Sequence, residues 1–153
     1  MKRAVLAAFA AASILLSVPV EAQTLRWAAP GDAVSFDPNA QLDSFPQNIQ
    51  LMVYDTLVRR NRQLQIEPGL ATSWKIVAPD RWRFTLRPGV KFHDGQPFGA
   101  DDVVATVMRT IDPGSRNKGN PATVKAAEKV DDLTVDLVLT GPYPLLLTDL
   151  PGI

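Results

Sequence analysis

Paired prolines and glycines limit what this chain can fold into more than any other feature. The 153 residues include 13 prolines and 9 glycines, and many fall together, as in Pro30-Gly31, Pro68-Gly69, Pro88-Gly89 and Pro113-Gly114. Proline removes a backbone donor and fixes φ, whereas glycine opens left-handed turns. Such pairs cut the chain into short segments, so short strands, hairpins and compact helices are expected, in an α+β arrangement.

The segments between these breaks carry readable periods. Residues 24–29 alternate, with Leu25 and Trp27 on one side, and read as a first strand. A polar loop follows to Asp43. Asp43 and Ser44 then offer cap oxygens, Pro46 suits a first turn, and Phe45, Ile49, Met52, Val53 and Leu57 recur at helical spacing. Residues 74–78 and 81–87 flank Pro79-Asp80 and predict a hairpin, with Trp82, Phe84 and Leu86 on one face and Arg81, Arg83, Thr85 and Arg87 on the other. A short strand at Val90-Lys91-Phe92 is closed by His93-Asp94-Gly95. Ala100, Val103, Val104, Val107, Met108 and Ile111 share one helical face, the strongest period in the chain. Asp112-Pro113-Gly114 ends that helix, and a polar loop runs to Pro121. A last hairpin turns at Asp131-Asp132, with Leu133, Val135, Leu137 and Leu139 on one face. Its first arm, residues 125–130, has helical composition that conflicts with a strand.

The beginning of the chain reads differently. Lys2 and Arg3 precede an apolar run over residues 4–18, Pro19 ends it, and Val20 and Ala22 are placed as a signal peptidase requires. Residues 1–22 are therefore expected to be a signal peptide cleaved after Ala22, leaving a periplasmic chain without a lipid anchor, since no cysteine follows. The run is too short for a comfortable membrane span. Cleavage leaves 131 residues, 14 basic and 15 acidic, enough for one modest core. The chain then stops inside an apolar segment around Leu145, Leu146, Leu147 and Leu150, which suggests a polypeptide cut short, with apolar surface left to associate.

Composition removes whole classes of chemistry. With 16 basic and 16 acidic residues the formal charge is zero, and no basic excess invites nucleic acid. There is no cysteine and one histidine, His93, so thiolate metal sites, disulfides and Ser-His-Asp machinery lack parts. Asp101 and Asp102 point about 100° apart on a helix and read as a helix start favoured by the dipole, not as an acid/base pair. His93-Asp94-Gly95 reads as a turn. No phosphate-binding or dinucleotide glycine motif is present. Arg81, Arg83 and Arg87 read as a solvated outer face, and Trp74, Trp82, Phe84 and Phe92 as core. Nothing supports an enzyme, a cofactor or a metal.

A longer ordered string is more specific. It comprises Tyr54-Asp55-Thr56-Leu57-Val58, then Pro68-Gly69-Leu70-Ala71-Thr72-Ser73-Trp74, then Phe84-Thr85-Leu86-Arg87 leading to Gly89-Val90-Lys91-Phe92-His93-Asp94-Gly95, and Ala100-Asp101-Asp102-Val103. Residues 130–147 continue it. This string closely resembles the family 5 extracellular solute-binding proteins of ABC transporters, the dipeptide, oligopeptide and nickel group. Gly99 departs from the Ser or Thr common in the family as the helix cap.

The resemblance implies an α/β, type II periplasmic-binding-protein-like fold of two lobes hinged around a ligand. This chain would hold the first strand of lobe one and most of its extra lobe, within residues 23–153. It implies capture of a small peptide or similar solute for delivery to membrane permease subunits, without nucleic acid. It also implies that the loop after the first strand, Gly31, Asp32, Ala33, Val34, Ser35 and Phe36, lies along the ligand, where backbone groups can pair with an extended peptide. The competing expectation is a secreted fragment with no transport role that only folds or associates.

Overall fold

A computed structural model describes residues 35–40, 49–115 and 123–150. The expected first strand over residues 24–29, the proposed cap at Asp43 and Ser44, and most of the loop before Pro121 lie outside these residues.

The backbone of the fold is a four-stranded antiparallel sheet in the order β3-β4-β6-β5, formed by β3 (Ala71–Ala78), β4 (Arg81–Leu86), β5 (Val124–Asp131) and β6 (Thr134–Leu139). The first hairpin turns where the sequence predicts, at Pro79-Asp80, and the second at Asp132-Leu133, one residue later than expected, because Asp131 still pairs with Thr134. Strand alternation puts Trp82, Phe84 and Leu86 of β4 and Val135, Leu137 and Leu139 of β6 into one core, all nearly or wholly inaccessible to solvent. β5 is a strand despite its helical composition. Its pairing with β6 from Val124↔Leu139 to Asp131↔Thr134, and its packing against a helix, override local propensity.

That helix is α1 (Ala100–Ile111), with bounds matching its apolar period. Ala100, Val103, Val107 and Thr110 are buried against the sheet. Met108, expected on the same face, is exposed. Gly99 caps the helix without a side chain. Asp102 compensates by accepting the Gly99 N–H at 2.8 Å, as an acid in the first turn can. The Ala100 N–H reaches the Asp132 carbonyl at 3.0 Å, and Lys129 bridges Asp101 and Asp132 at 2.7 and 2.8 Å. These contacts pin the start of α1 to the β5–β6 turn.

A second antiparallel pair, β1 (Val58–Arg60) and β2 (Ile66–Pro68), has no counterpart in the sequence reading. The helix expected to reach Leu57 has already ended. Ile49 and Gln50 are helical, residues 51–53 turn, and Met52 and Val53 are exposed. Gly69 explains why Pro-Gly is needed after β2. A Cβ there would lie 2.3 Å from the Thr56 carbonyl oxygen, so the two backbone segments meet only around glycine.

The apolar end of the chain is largely covered. In α2 (Leu146–Asp149) Leu146 is fully buried, Leu150 beyond it is nearly so, and both join the sheet core. Arg60 donates to the Thr148 carbonyl, and the Tyr143 hydroxyl donates to Asp149 at 2.7 Å. Of the four leucines expected to be uncovered, only Leu145 is exposed, and Leu147 is half-buried. Leu146 and Leu150 fill the core because α2 folds their face onto it.

Candidate functional site

Of the six loop residues expected to face a ligand, Gly31, Asp32, Ala33 and Val34 lie outside the described residues. Ser35 and Phe36 are described. The Ser35 hydroxyl accepts the Asp37 N–H at 3.0 Å, Asp37 Oδ1 accepts the Asn39 N–H at 3.0 Å, and the Asp37 carbonyl accepts the Ala40 N–H at 3.1 Å. Short polar side chains thus shape this turn by bonding their own backbone. Asp37 Oδ2 also accepts from Arg109, in the last turn of α1, and the Ser115 hydroxyl donates to Asn39 Oδ1 at 3.5 Å. Phe36, between these anchored neighbours, is 53% exposed.

An open groove of about 480 Å³ runs beside this turn, lined by Asp37, Asn39, Arg109, Asp112 and Ser115 among others. Its groups can form hydrogen bonds with a polar ligand. A second cleft, of about 340 Å³, lies between Asp55, Arg59, Gly69 and Arg87. Its cations serve the fold. Arg59 pairs with Glu67 at 3.6 Å, and Arg87 donates twice to the Gly69 carbonyl, at 3.0 and 3.3 Å.

The arginine face of β4 differs from the solvated surface that the sequence suggests. Arg83 grips Asp136 of β6 with two bonds, Nε to Oδ1 at 2.7 Å and Nη2 to Oδ2 at 2.9 Å. Arg81 reaches the same carboxylate at 3.3 Å and Glu128 of β5 at 2.6 Å. Asp136 is 2% exposed in its side chain. The Arg83 and Arg81 bonds hold its carboxyl below the usual range, outweighing burial, and Glu128 and Asp136 raise the Arg81 guanidinium in turn. The cluster joins three strands and has no spare charge to offer a ligand.

His93 lies in an exposed turn in which Asp94 Oδ1 accepts the Gln96 N–H at 3.0 Å and Gly95 takes φ +89°, a value that favours glycine. The predicted strand here shrinks to one bridge, Lys91↔Pro97. Phe92 is half-exposed, with its ring edge against Phe98 and outside the sheet core. Among the described residues no three acidic or imidazole groups converge as metal ligands. His93→Asn is expected to leave solute binding unchanged and to lower stability by at most about 1 kcal/mol. Calorimetric titration with a bound solute and a melting curve check this, and lost binding with unaltered melting would contradict it.

Among the described residues no helix is long and apolar enough to cross a membrane. Comparison with known proteins places this geometry. The chain is similar to a probable peptide ABC transporter periplasmic-binding protein, y4tO, of Sinorhizobium fredii, at 33% identity over 146 residues, covering 89% of this chain and 27% of that protein. It is also similar to the HTH-type transcriptional regulator SgrR of Escherichia coli strain K12, at 32% identity over 121 residues, covering 75% of this chain and 21% of that protein. Among solved structures it resembles the periplasmic binding protein MoaA from A. tumefaciens R10, in complex with mannopinic acid. That likeness has a TM-score of 0.71 and 33% identity, covering 79% of this chain and 27% of that one. The chain spans about a quarter of the length of the curated relatives it matches. The sheet, α1 and α2 fall within residues 65–153, which match the model of the bacterial extracellular solute-binding proteins, family 5 Middle. This chain belongs to the family 5 bacterial extracellular solute-binding proteins.

Proposed function

We propose that the protein is the extracytoplasmic solute-binding component of an ABC importer, capturing peptides or similar small solutes and delivering them to membrane permease subunits. The family match over residues 65–153 carries this reading, supported by likeness to a protein named as a peptide ABC transporter binding protein. In this reading residues 1–22 are a signal peptide, and the chain works in the periplasm from Gln23 onward. Loop 31–36 lies along the solute and offers it main-chain donors and acceptors, while Phe36 adds an exposed aromatic surface. The protein performs no chemistry on the solute.

Thermal-shift screening of the complete gene product against peptide and nickel-chelate libraries tests this reading. A peptide at about 100 times its Kd stabilises a binding protein by about 2.7 kcal/mol, a readily measured rise in melting temperature. If no peptide shifts melting while a chelate does, peptide capture is wrong. If none of either class does, solute capture is wrong.

The likeness to SgrR favours a second reading, in which the same fold belongs to a regulator. The apolar segment behind Lys2 and Arg3 favours export instead. Mass spectrometry of the periplasmic fraction separates the two, because an exported protein begins at Gln23 and a regulator is absent from it.

A further inference from the structure

The hairpin of β1 and β2 ends in a tip with a residue that the fold itself does not favour. Arg62, Gln63 and Leu64 form its loop, closed by the Asn61 N–H on the Gln65 carbonyl at 3.0 Å and the Leu64 N–H on the Asn61 carbonyl at 2.9 Å. The Asn61 side chain stiffens it. Its Oδ1 accepts the N–H groups of Gln63 and Gln65, both at 2.9 Å, and its Nδ2 donates to Gln65 Oε1 at 3.0 Å. Loops of this kind put their last residue in the left-handed region, which suits glycine. Here that residue is a leucine, and Leu64, at φ +63°, is the one non-glycine with a positive φ among the described residues. It is also 76% exposed, so its side chain adds nothing to the core. Leu64 is thus unfavourable both for the backbone and for the water around it.

The charge beside it has one sign. Arg59, Arg60 and Arg62 are exposed, and no acid stands between Val58 and Ile66. Among the described residues the Arg62 guanidinium has no ion pair or hydrogen bond. Arg60 donates to the neutral Thr148 carbonyl and so keeps its charge uncancelled. Arg59 has a partial counter-ion in Glu67, at 3.6 Å. An exposed leucine flanked by guanidiniums fits a surface that is anionic outside and apolar beneath. A protein partner fits less well. The tip offers residues 59–65, whereas a specific protein interface takes about 20–30 residues a side.

We propose that the β1–β2 tip is a contact for anionic lipid headgroups, with Leu64 entering the headgroup boundary and Arg60 and Arg62 meeting the phosphates. The contact is weak and reversible, because a few cations and one side chain hold a protein only loosely to a bilayer. It keeps an extracytoplasmic protein near the membrane surface, and it does not depend on which solute the protein captures.

The test mixes the complete gene product with phosphatidylglycerol vesicles and, separately, with phosphatidylcholine vesicles at low ionic strength, and measures bound protein by co-sedimentation. Binding is expected to phosphatidylglycerol alone and to fade as added salt shortens the reach of the charges. Arg62→Gln is expected to weaken it about fivefold, the effect of one cation near an anionic surface. Leu64→Gly is expected to weaken it about fourfold, the effect of one methylene group returned to water. Melting of Leu64→Gly should stay equal or rise, because glycine relieves the backbone. Those opposite directions separate a lipid contact from a structural role. Equal binding to both lipids, no binding to either, or unchanged binding in either variant overturns the proposal, as does a lower melting temperature in Leu64→Gly. Binding to soluble polyglutamate but not to vesicles overturns it in favour of an acidic protein partner.

Discussion

Phe84→Ala is expected to lower the unfolding free energy by about 4 kcal/mol, as removal of a buried aromatic ring usually does. Phe84 is inaccessible to solvent and lies in an inner strand, opposite Trp74 on one side and Val135 on the other. Alanine there loses the ring's transfer free energy and leaves a cavity that a paired sheet cannot collapse to fill. A domain of this size has about 5–15 kcal/mol in reserve, so the variant should be barely folded. Phe92→Ala is the control. Its ring is 46% exposed, and a loss below about 1 kcal/mol is expected. Urea unfolding followed by tryptophan fluorescence measures both, and similar losses for the two would mean that Phe84 is not central to the core.

The same pair of phenylalanines shows where sequence reading works and where it stops. Phe84 belongs to an alternating run beside a Pro-Asp turn, and alternation alone assigns it to the core. Phe92 is just as apolar, but it follows a Pro-Gly break and has no partner strand, only the Lys91↔Pro97 bridge. Helix α1 was legible to its ends because apolar spacing, acidic first turn and Asp-Pro-Gly stop agree. β1 and β2 were not, because three residues each, Val-Arg-Arg and Ile-Glu-Pro, are too short to display a period. Met52, Val53 and Leu57 mimicked a helical face that the chain abandons after Gln50.

Pairs distant in sequence were the least legible. Arg83 finds Asp136 across 53 positions and Arg109 finds Asp37 across 72, and no local pattern announces either. Read locally, Arg81 and Arg83 are a charged outer face. Only the register of β4 against β6, with Arg83 opposite Asp136, shows that the face is neutralised. The candidate ligand loop has the same character. No motif within residues 31–36 marks it as a binding surface; resemblance alone supplied the assignment.

Asp136→Asn is expected to cost about 2 kcal/mol at neutral pH, the scale of hydrogen bonds to a charged group. Three guanidinium bonds converge on the carboxylate, and the amide of asparagine would turn donors toward donors. A fully buried pair would cost more, but Arg81 and Arg83 are 31% and 34% exposed and regain water when released. The pH dependence identifies the cause. Asp136 has a carboxyl pKa below its unfolded value of about 3.9, so its contribution is complete above that value and is lost as pH falls through the lower, folded one. The unaltered protein should therefore lose stability more steeply than the variant as pH drops from about 5 to about 2, and the two curves should draw together at the acid end. Denaturant midpoints across that range provide the measurement. Parallel curves would mean that the Asp136 charge does not bind β4 to β6, and that the sheet is held by its apolar face and backbone ladder alone.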